Sequence, residues 1–433
     1  MPNYEGRNQY DAKKYPSPEE LKAAFDSYAK ENSGSGLTWK DQIVRLQLDF
    51  GLTVGKTKLY ELRRLAGIET VRSIMKSTSG QERVQAVIDL KESDVLGKWG
   101  VQQTRQRLAN KGILIARDEL RTILHDHFDA EFVRRFVGKR KELIPRSPLD
   151  CLGPFHQLHC DGHEKLNAQA LKMGDISLPI YSYKDQFSSL NPYLVTAPNI
   201  RQEVVVGHIY LDLIVAVGGY IPIQLVMDKG SETGLMRDFH TELRLHHAPE
   251  FTAEEWPPYI QVQSKHNTPI EGFWRWVRDG EGSSFREVVL EGYNAGRINP
   301  QDQRQVNVFY WLFAPLLQER LDEFSEYWNN HRLSKQSKKV LPSGRSPKHI
   351  FLAPETACET ARHCAIRVSL EKVAELRSRI GGDEGRIQAL EYISREEHAA
   401  IDEVYLQLGS PGITLSSAWD VFTSVFRLYA TMI

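Results

Sequence analysis

SKHNTPIEGFWRWVR, Ser264 to Arg278, is the stretch on which the reading of this chain turns. Thr268 stands where a helix N-cap is expected, and Pro269 falls at the first helical position, where its missing N–H costs nothing. Ile270, Phe273, Trp274 and Val277 then recur at i, i+3, i+4 and i+7, one apolar stripe of an amphipathic helix. Glu271, Arg275 and Arg278 lie on another face. Glu271 admits two readings. Thr268-x-x-Glu271 is a capping box, in which the glutamate satisfies an orphan backbone donor. Alternatively the carboxylate points away from its own helix into a site. A glutamate folded back on its N-cap cannot do both, so residues elsewhere must decide.

Working outward, two aspartates supply the context. Leu158, Cys160 and their neighbours form a short strand that the pattern ends at Asp161. Pro222 to Met227 is a buried strand ending at Asp228. Each aspartate has a glycine within two residues, Gly162 and Gly230. Ligands bind at the open ends of strands in α/β sheets, and glycine there lets a second backbone or a phosphate come close. Between the aspartates, Ile180 to Asp185 and Pro192 to Ala197 read as strands joined by a polar turn at Phe187-Ser188-Ser189. Arg201 to Val217 reads as a helix broken by Gly218-Gly219. A long connection through Pro249 to Pro258 leads to the helix of Glu271. Strands, a helix, a strand and more helices predict an α/β domain with a mixed sheet.

Asp161, Asp228 and Glu271 together offer three hard oxygen donors, which suit Mg²⁺ or Mn²⁺. Two such ions about 3.5–4 Å apart serve an in-line displacement at phosphorus. His159 and His163 flank the first aspartate, and His266 and Asn267 precede the glutamate helix. Alternation puts His159 on the face of Asp161, with Leu158 and Cys160 turned to the core. Lys165, Lys229 and Lys265 lie near the acids in sequence, and Trp274 and Trp276 read as packing residues.

The net charge of −1 conceals an asymmetry, with an excess of six cations in residues 1–150 and of seven acids in the remainder. A basic N-terminal part suggests an anionic partner. Residues 1–37 are polar, and Glu31 to Gly36 (ENSGSG) reads as a linker. Trp39 to Phe50 is a helix closed by Gly51. Gly51 to Gly55 turns into a second helix, Lys56 to Leu65, with Lys56, Lys58, Tyr60, Arg63 and Arg64. This is the outline of a helix-turn-helix, whose second helix enters a major groove. Gly55-Lys56-Thr57 imitates the end of a phosphate-binding loop, but Phe50 stands where its first glycine should be. The theme repeats with helices over Gln81 to Leu96, Val101 to Asn110 and Ala116 to His125, the last carrying Arg117 and Arg121. Residues 134–146 hold six cations against one acid, a pattern for gripping a phosphate backbone or for nuclear import.

The chain of 433 residues, 41% apolar and 26% charged, has the composition of a globular protein of two or three domains. No run of 18 apolar residues appears, so no transmembrane helix is expected. The first twenty residues lack the apolar core of a secretory signal. Cys151, Cys160, Cys358 and Cys364 have no zinc-finger spacing, which points to a reducing compartment. Past residue 353, helical patterns over Ala365 to Arg379, Arg386 to Glu397 and Trp419 to Tyr429 carry no motif.

Asp161 in HCDGHEKL, Asp228 in DKGSETG and Glu271 in HNTPIEGFW resemble the DDE triad of the retroviral-integrase and transposase superfamily. They are closer still to the integrase core domain proteins of fungal mobile elements. The resemblance spans residues 38–352. It takes in the paired helix-turn-helix units, the Asp185-Gln-Phe-Ser turn, and YWNNHRL…PSGRSPKHIF from Tyr327 to Phe351. It implies an RNase H-like core of five mixed strands with flanking helices over 149–352, a paired helix-turn-helix region over 38–148 and a helical tail over 353–433. It also implies metal-dependent cleavage and joining of DNA, with Asp161, Asp228 and Glu271 as ligands for two Mg²⁺ or Mn²⁺ ions. Lys56, Lys58, Arg63, Arg64, Arg117, Arg121, Lys265 and Arg275 become candidate DNA contacts. The implied partners are double-stranded DNA, at element ends and target, and further copies of the chain. The implied location is the nucleus in a eukaryote and otherwise the cytoplasm. One departure is the lack of an N-terminal His/Cys zinc module. A catalytically inactive, element-derived DNA-binding regulator is the alternative, and a nuclease acting on RNA–DNA hybrids shares the same chemistry.

Overall fold

The computed structural model describes residues 15–68, 80–94, 99–135, 151–164, 166, 168–262, 267–335 and 341–432. Most of the basic run 134–146 lies outside them, as do Lys165, Lys265 and His266.

The N-terminal part is helical, and it begins earlier than the polar composition suggests. Helix α1 (Pro18–Gly34) starts in a capping box between Ser17 and Glu20. Its Leu21, Phe25 and Tyr28 are buried against α2 (Trp39–Phe50) and α3 (Lys56–Leu65). The segment expected to be a linker is therefore a packed junction. Asn32 and Ser33 take left-handed backbone angles, φ 55° and 59°, which ends the helical run. Glu31 is wholly buried there. It accepts from Arg45 Nη1 of α2 at 2.9 Å and from Ser346 Oγ at 2.5 Å. Asp41 of α2 is likewise bound by Arg345. The PSGRSPKHIF segment thus serves as the socket in which the first helices sit.

Helices α4 (Gly80–Glu92), α5 (Val101–Asn110) and α6 (Arg117–Arg135) form a second cluster around Val87, Leu90, Trp99, Leu108, Leu120 and Leu124. Helix α5 packs on both α1 and a long helix of the core, which leaves it largely buried.

Next comes the sheet, made of β1 (Gln157–His163), β2 (Ile180–Asp185), β3 (Tyr193–Thr196), β5 (Gln224–Asp228) and β6 (Tyr259–Val262). The short helix α7 (Ala168–Leu171) follows β1, α8 (Glu203–Ala216) follows β3, and α9 (Gly234–His247) follows β5. The order is β3-β2-β1-β5-β6, antiparallel across the first three strands and parallel from β1 to β6. This is the mixed five-stranded, helix-flanked sheet expected of an RNase H-like core. The connection before Glu271 is not plain loop, because it contains α9 and β6. Leu158, Cys160, Tyr183, Leu225 and Met227 face α8 and α9 on one side of the sheet. The other side receives α10 (Thr268–Val277), α11 (Ser283–Asn294) and the long α12 (Gln303–Asn330).

Helix α12 also closes the sheet's edge. Gln318 accepts from the Thr196 amide at 2.9 Å and donates to Leu194 O at 3.1 Å, standing in for the next strand.

After α13 (Pro347–Leu352), the tail is integral to this core. Strand β7 (Ile366–Arg367) pairs with β4 (Tyr220–Ile221). Asp212 of α8 is held by Arg377 of α14 (Leu370–Ser378) and Arg386 of α15 (Gly382–Leu390), each at 2.8 Å. The single helix expected over Arg386 to Glu397 is two, because Ser394 caps a fresh start at α16 (Arg395–Gln407). Helix α16 and α17 (Ala418–Met432) pack on α12.

Glu31→Ala takes the 2.9 Å partner from buried Arg45 and leaves it only Asp49 at 4.0 Å, which costs about 3 kcal/mol. Denaturant unfolding is expected to show that loss, whereas the same change in a solvated linker would register no difference.

Candidate active site on the sheet face

Asp161 lies inside β1 rather than at its end, opposite Ser182 of β2. On its other side β1 runs parallel to β5, with His159 beside Val226. Two residues further along each strand, Asp161 and Asp228 come side by side, and both share the face of His159. The strand-end reading held for Asp228 alone. It failed for Asp161 because Gly162 and His163 continue pairing with Tyr181 and Ile180.

Helix α10 crosses that face. It begins one residue earlier than the sequence pattern indicated, with Asn267 as N-cap and no side-chain capping bond. Thr268 is already helical, so the Thr268–Glu271 capping box does not form, and Glu271 is exposed. Asn267 is buried and binds three ways. Its Nδ2 donates to Cys160 O at 3.2 Å and to Asp228 Oδ1 at 3.5 Å, while its Oδ1 lies 2.6 Å from His159 Nδ1. Those bonds orient the amide, so its Oδ1 is placed to accept from His159 Nδ1. The other ring nitrogen lies 2.6 Å from Gln186 Oε1, and burial holds the imidazole pKa below its ordinary value.

Trp274 is buried in the apolar stripe, as expected, but its Nε1 also donates to Asp161 Oδ2 at 2.8 Å. The His163 ring stacks on Trp274 at 4.6 Å and 16°. Burial, chiefly, pushes the Asp161 carboxyl up to about 7, with the nearby charges of Asp228 and Glu271 acting in the same direction. The bonds from Trp274 and the Gly162 amide pull against them. All three acids, drawn from two strands and a helix, are within electrostatic reach of one point.

Their donor chemistry suits Mg²⁺ or Mn²⁺, since the donors are all oxygens and a cation there would relieve repulsion between carboxylates. The set is not closed. Among the described residues no three His, Cys, Asp or Glu side chains are gathered tightly enough to hold a metal ion. Trp274 and the Gly162 amide engage both oxygens of Asp161.

The basic candidates are scattered. Lys56 and Arg64 of α3 are exposed, with the Lys56 ammonium 5.1 Å from the Trp39 ring. Arg63 is half-buried, and Lys58 pairs with Glu61 at 3.0 Å. Arg117 and Arg121 are exposed on α6, and Arg275 is exposed on α10 one turn beyond Glu271. Asp185, at the turn after β2, is structural. It accepts from the Phe155 and Ser188 amides and the Ser188 hydroxyl, and burial lifts its pKa to about 6. Gln186 is the site residue that the sequence reading missed. Its only signal was its place between the buried aspartate and Phe187.

Residues 153–364 match the family model of the integrase core domain. The chain carries an integrase core domain. The match is consistent with a protein of the retroviral-integrase and DDE transposase superfamily, and the matched residues take in all five strands and the three acids. No curated protein matches the chain. Within this integrase core domain, the family offers no residue assignments, so the roles of the acids rest on the geometry above. No described helix is long and apolar enough to cross a membrane.

The raised value of Asp161 sets a sign. Its folded-state pKa exceeds the ordinary 3.8, so folding takes up a proton and stability is lost as pH rises from about 4 to 7. Without divalent ions, Asp161→Asn is expected to be about 1–3 kcal/mol more stable than the parent at pH 8. It should match the parent near pH 4, and added Mg²⁺ should raise the parent alone. Thermal unfolding in EDTA and in Mg²⁺ at the two pH values checks this.

Proposed function

We propose that this integrase core cleaves and joins DNA phosphodiester bonds, with Asp161, Asp228 and Glu271 as the acids that hold Mg²⁺ or Mn²⁺, two ions in the working complex. The observation that supports the reading is that β1 and the parallel β5 carry Asp161 and Asp228 on one face, where Asn267 at the start of α10 bonds Asp228 and Trp274 of the same helix bonds Asp161. The bound ions would polarise the scissile phosphate and offset its charge. The chain's own residues do the rest. Asn267 holds Asp228 and ties the start of α10 to β1. Trp274 holds Asp161 and, with His163 stacked on it, walls one side of the site. The exposed Arg275 and Lys229 are placed to meet phosphate oxygens. The helices α2–α3 and α5–α6 act as helix-turn-helix units for duplex DNA, with Lys56, Arg64, Arg117 and Arg121 supplying exposed cations.

A second reading has its own support. The engaged oxygens of Asp161 and the open acid set suit an element-derived DNA-binding regulator that has no catalytic role. One experiment separates the two. Supercoiled plasmid is incubated with the full chain in Mg²⁺ or Mn²⁺, and nicked product is measured beside a mobility shift on linear duplex. Glu271→Gln is expected to lower nicking more than about a hundredfold, since even outer partners of metal ligands cost 10–100-fold. It should leave the mobility shift intact. A parent that shifts duplex but nicks nothing in either ion would favour the regulator.

A further inference from the structure

Helix α10 does not stop where its residues leave the acid face. Val277 and Arg278 keep helical angles, and Arg278–Gly282 forms one wide π-helical turn, closed by the Ser283 amide donating to Arg278 O, before α11 begins. Thr268 to Asn294 is thus one continuous helix with an extra residue accommodated near its middle. Turns of this kind are costly alone and recur at functional positions.

This one is gripped from outside. The Trp99 indole, just ahead of α5, donates to Gly280 O at 3.0 Å. Glu281 is buried, paired with Arg107 of α5 and bonded by Arg320 of α12 through Nε at 2.8 Å and Nη2 at 2.5 Å. The Arg107 guanidinium carbon lies over the Trp99 ring, 3.9 Å from its centre. A Cβ on Gly280 would sit 2.9 Å from Phe324, so glycine alone lets α12 approach this closely. Helix α5, the first helix of the proposed α5–α6 DNA-binding pair, spends its inner face on these contacts.

The consequence for the acids is geometric. Glu271 stands ten residues before Glu281 on the same helix. If the wide turn relaxed to ordinary α-helix, everything before it would rotate by about 100° and shift by about 1.5 Å. Such a rotation would carry Glu271 off the face that holds Asp161 and Asp228.

We propose that Trp99 and Arg107 are positioning residues, which hold the wide turn 278–282 open and thereby set the rotational position of Glu271 from the N-terminal helical region. The role assigned to Glu271 rests on the reading given above; the mechanical link does not. The N-terminal helices then complete the acid site as well as binding DNA, and residues 153–364 without them would carry a misaligned third acid.

Amide hydrogen exchange on the full chain tests the link directly. Trp99→Phe removes only the indole N–H. It is expected to speed exchange of the Phe273–Val277 amides about tenfold, as loss of one buried hydrogen bond does, with β1 and α12 unchanged. Arg107→Met should exceed that. Arg345→Ala, which severs the separate tie to Asp41, should leave α10 at the parental rate. In plasmid nicking, Trp99→Phe should lower kcat with KM unchanged. The proposal is overturned if either Trp99→Phe or Arg107→Met leaves α10 exchanging at the parental rate. It is equally overturned if Arg345→Ala loosens α10 as much as they do, because the effect is then general stability. A parent that does not nick plasmid contradicts the catalytic reading, and the exchange rates still decide the positioning role.

Discussion

Three carboxylates brought to one sheet face repel one another, and the surrounding structure is arranged to bear that repulsion. At Asp161 burial raises the carboxyl more than that repulsion does, and the bonds from Trp274 and the Gly162 amide oppose both. The parallel pairing of β1 with β5 forces Asp161 beside Asp228, and the buried Asn267 amide forces the start of α10 onto both strands. An apolar residue at 267 would leave Cys160 O and His159 without this partner. The tether therefore has a structural reason and a site reason at once. Like charges held together against their own repulsion form a binding arrangement for a cation or for groups that a cation can bridge.

The helical regions on either side are not appendages of this core. The Ser346 hydroxyl on Glu31, itself paired with Arg45, and the ion pairs Asp41–Arg345 and Glu281–Arg107 tie the N-terminal helices to the core. Asp212 with Arg377 and Arg386 binds the C-terminal helices in the same manner. Such ties add little net stability over apolar packing, yet they specify orientation, because each charge must find its own partner. On the proposed function, positioning a duplex against the acids would use that rigidity. Charged residues in ENSGSG and in PSGRSPKHIF, apparently surface features, are where the orientation is set.

Much of this was legible in the sequence, and the failures have physical causes. The α10 stripe, the presence of strands at Asp161 and Asp228 (though not where β1 ends), and α2 and α3 follow local periodicity, so they read correctly. Helix α1 was hidden because Asn32 and Ser33 mimic linker composition while their backbone merely ends a helix. Helix α9 was overlooked although Met236, Phe239, His240 and Leu243 have helical spacing, since the prolines that follow drew the whole segment into a loop. Strand β6 is four half-buried residues at a sheet edge and carries no alternation to see. At the site, residue types exposed the acids, but they could not show that Asn267 replaces Thr268 as the cap. That depends on a long-range bond to Cys160 O. Gln186, Trp99 and Arg107 were invisible for the same reason, because their partners are remote in the chain.

The central claim is that Asp161, Asp228 and Glu271 together take up divalent ions. Crystals of the full chain soaked in Mn²⁺ and measured at the manganese absorption edge test it most directly. The account predicts an anomalous peak between the carboxylates of Asp161 and Asp228, with Glu271 turned toward the same density and Asp161 released from Trp274. Crystals that show manganese elsewhere, with the Trp274–Asp161 bond unchanged and no density between the aspartates, would contradict it.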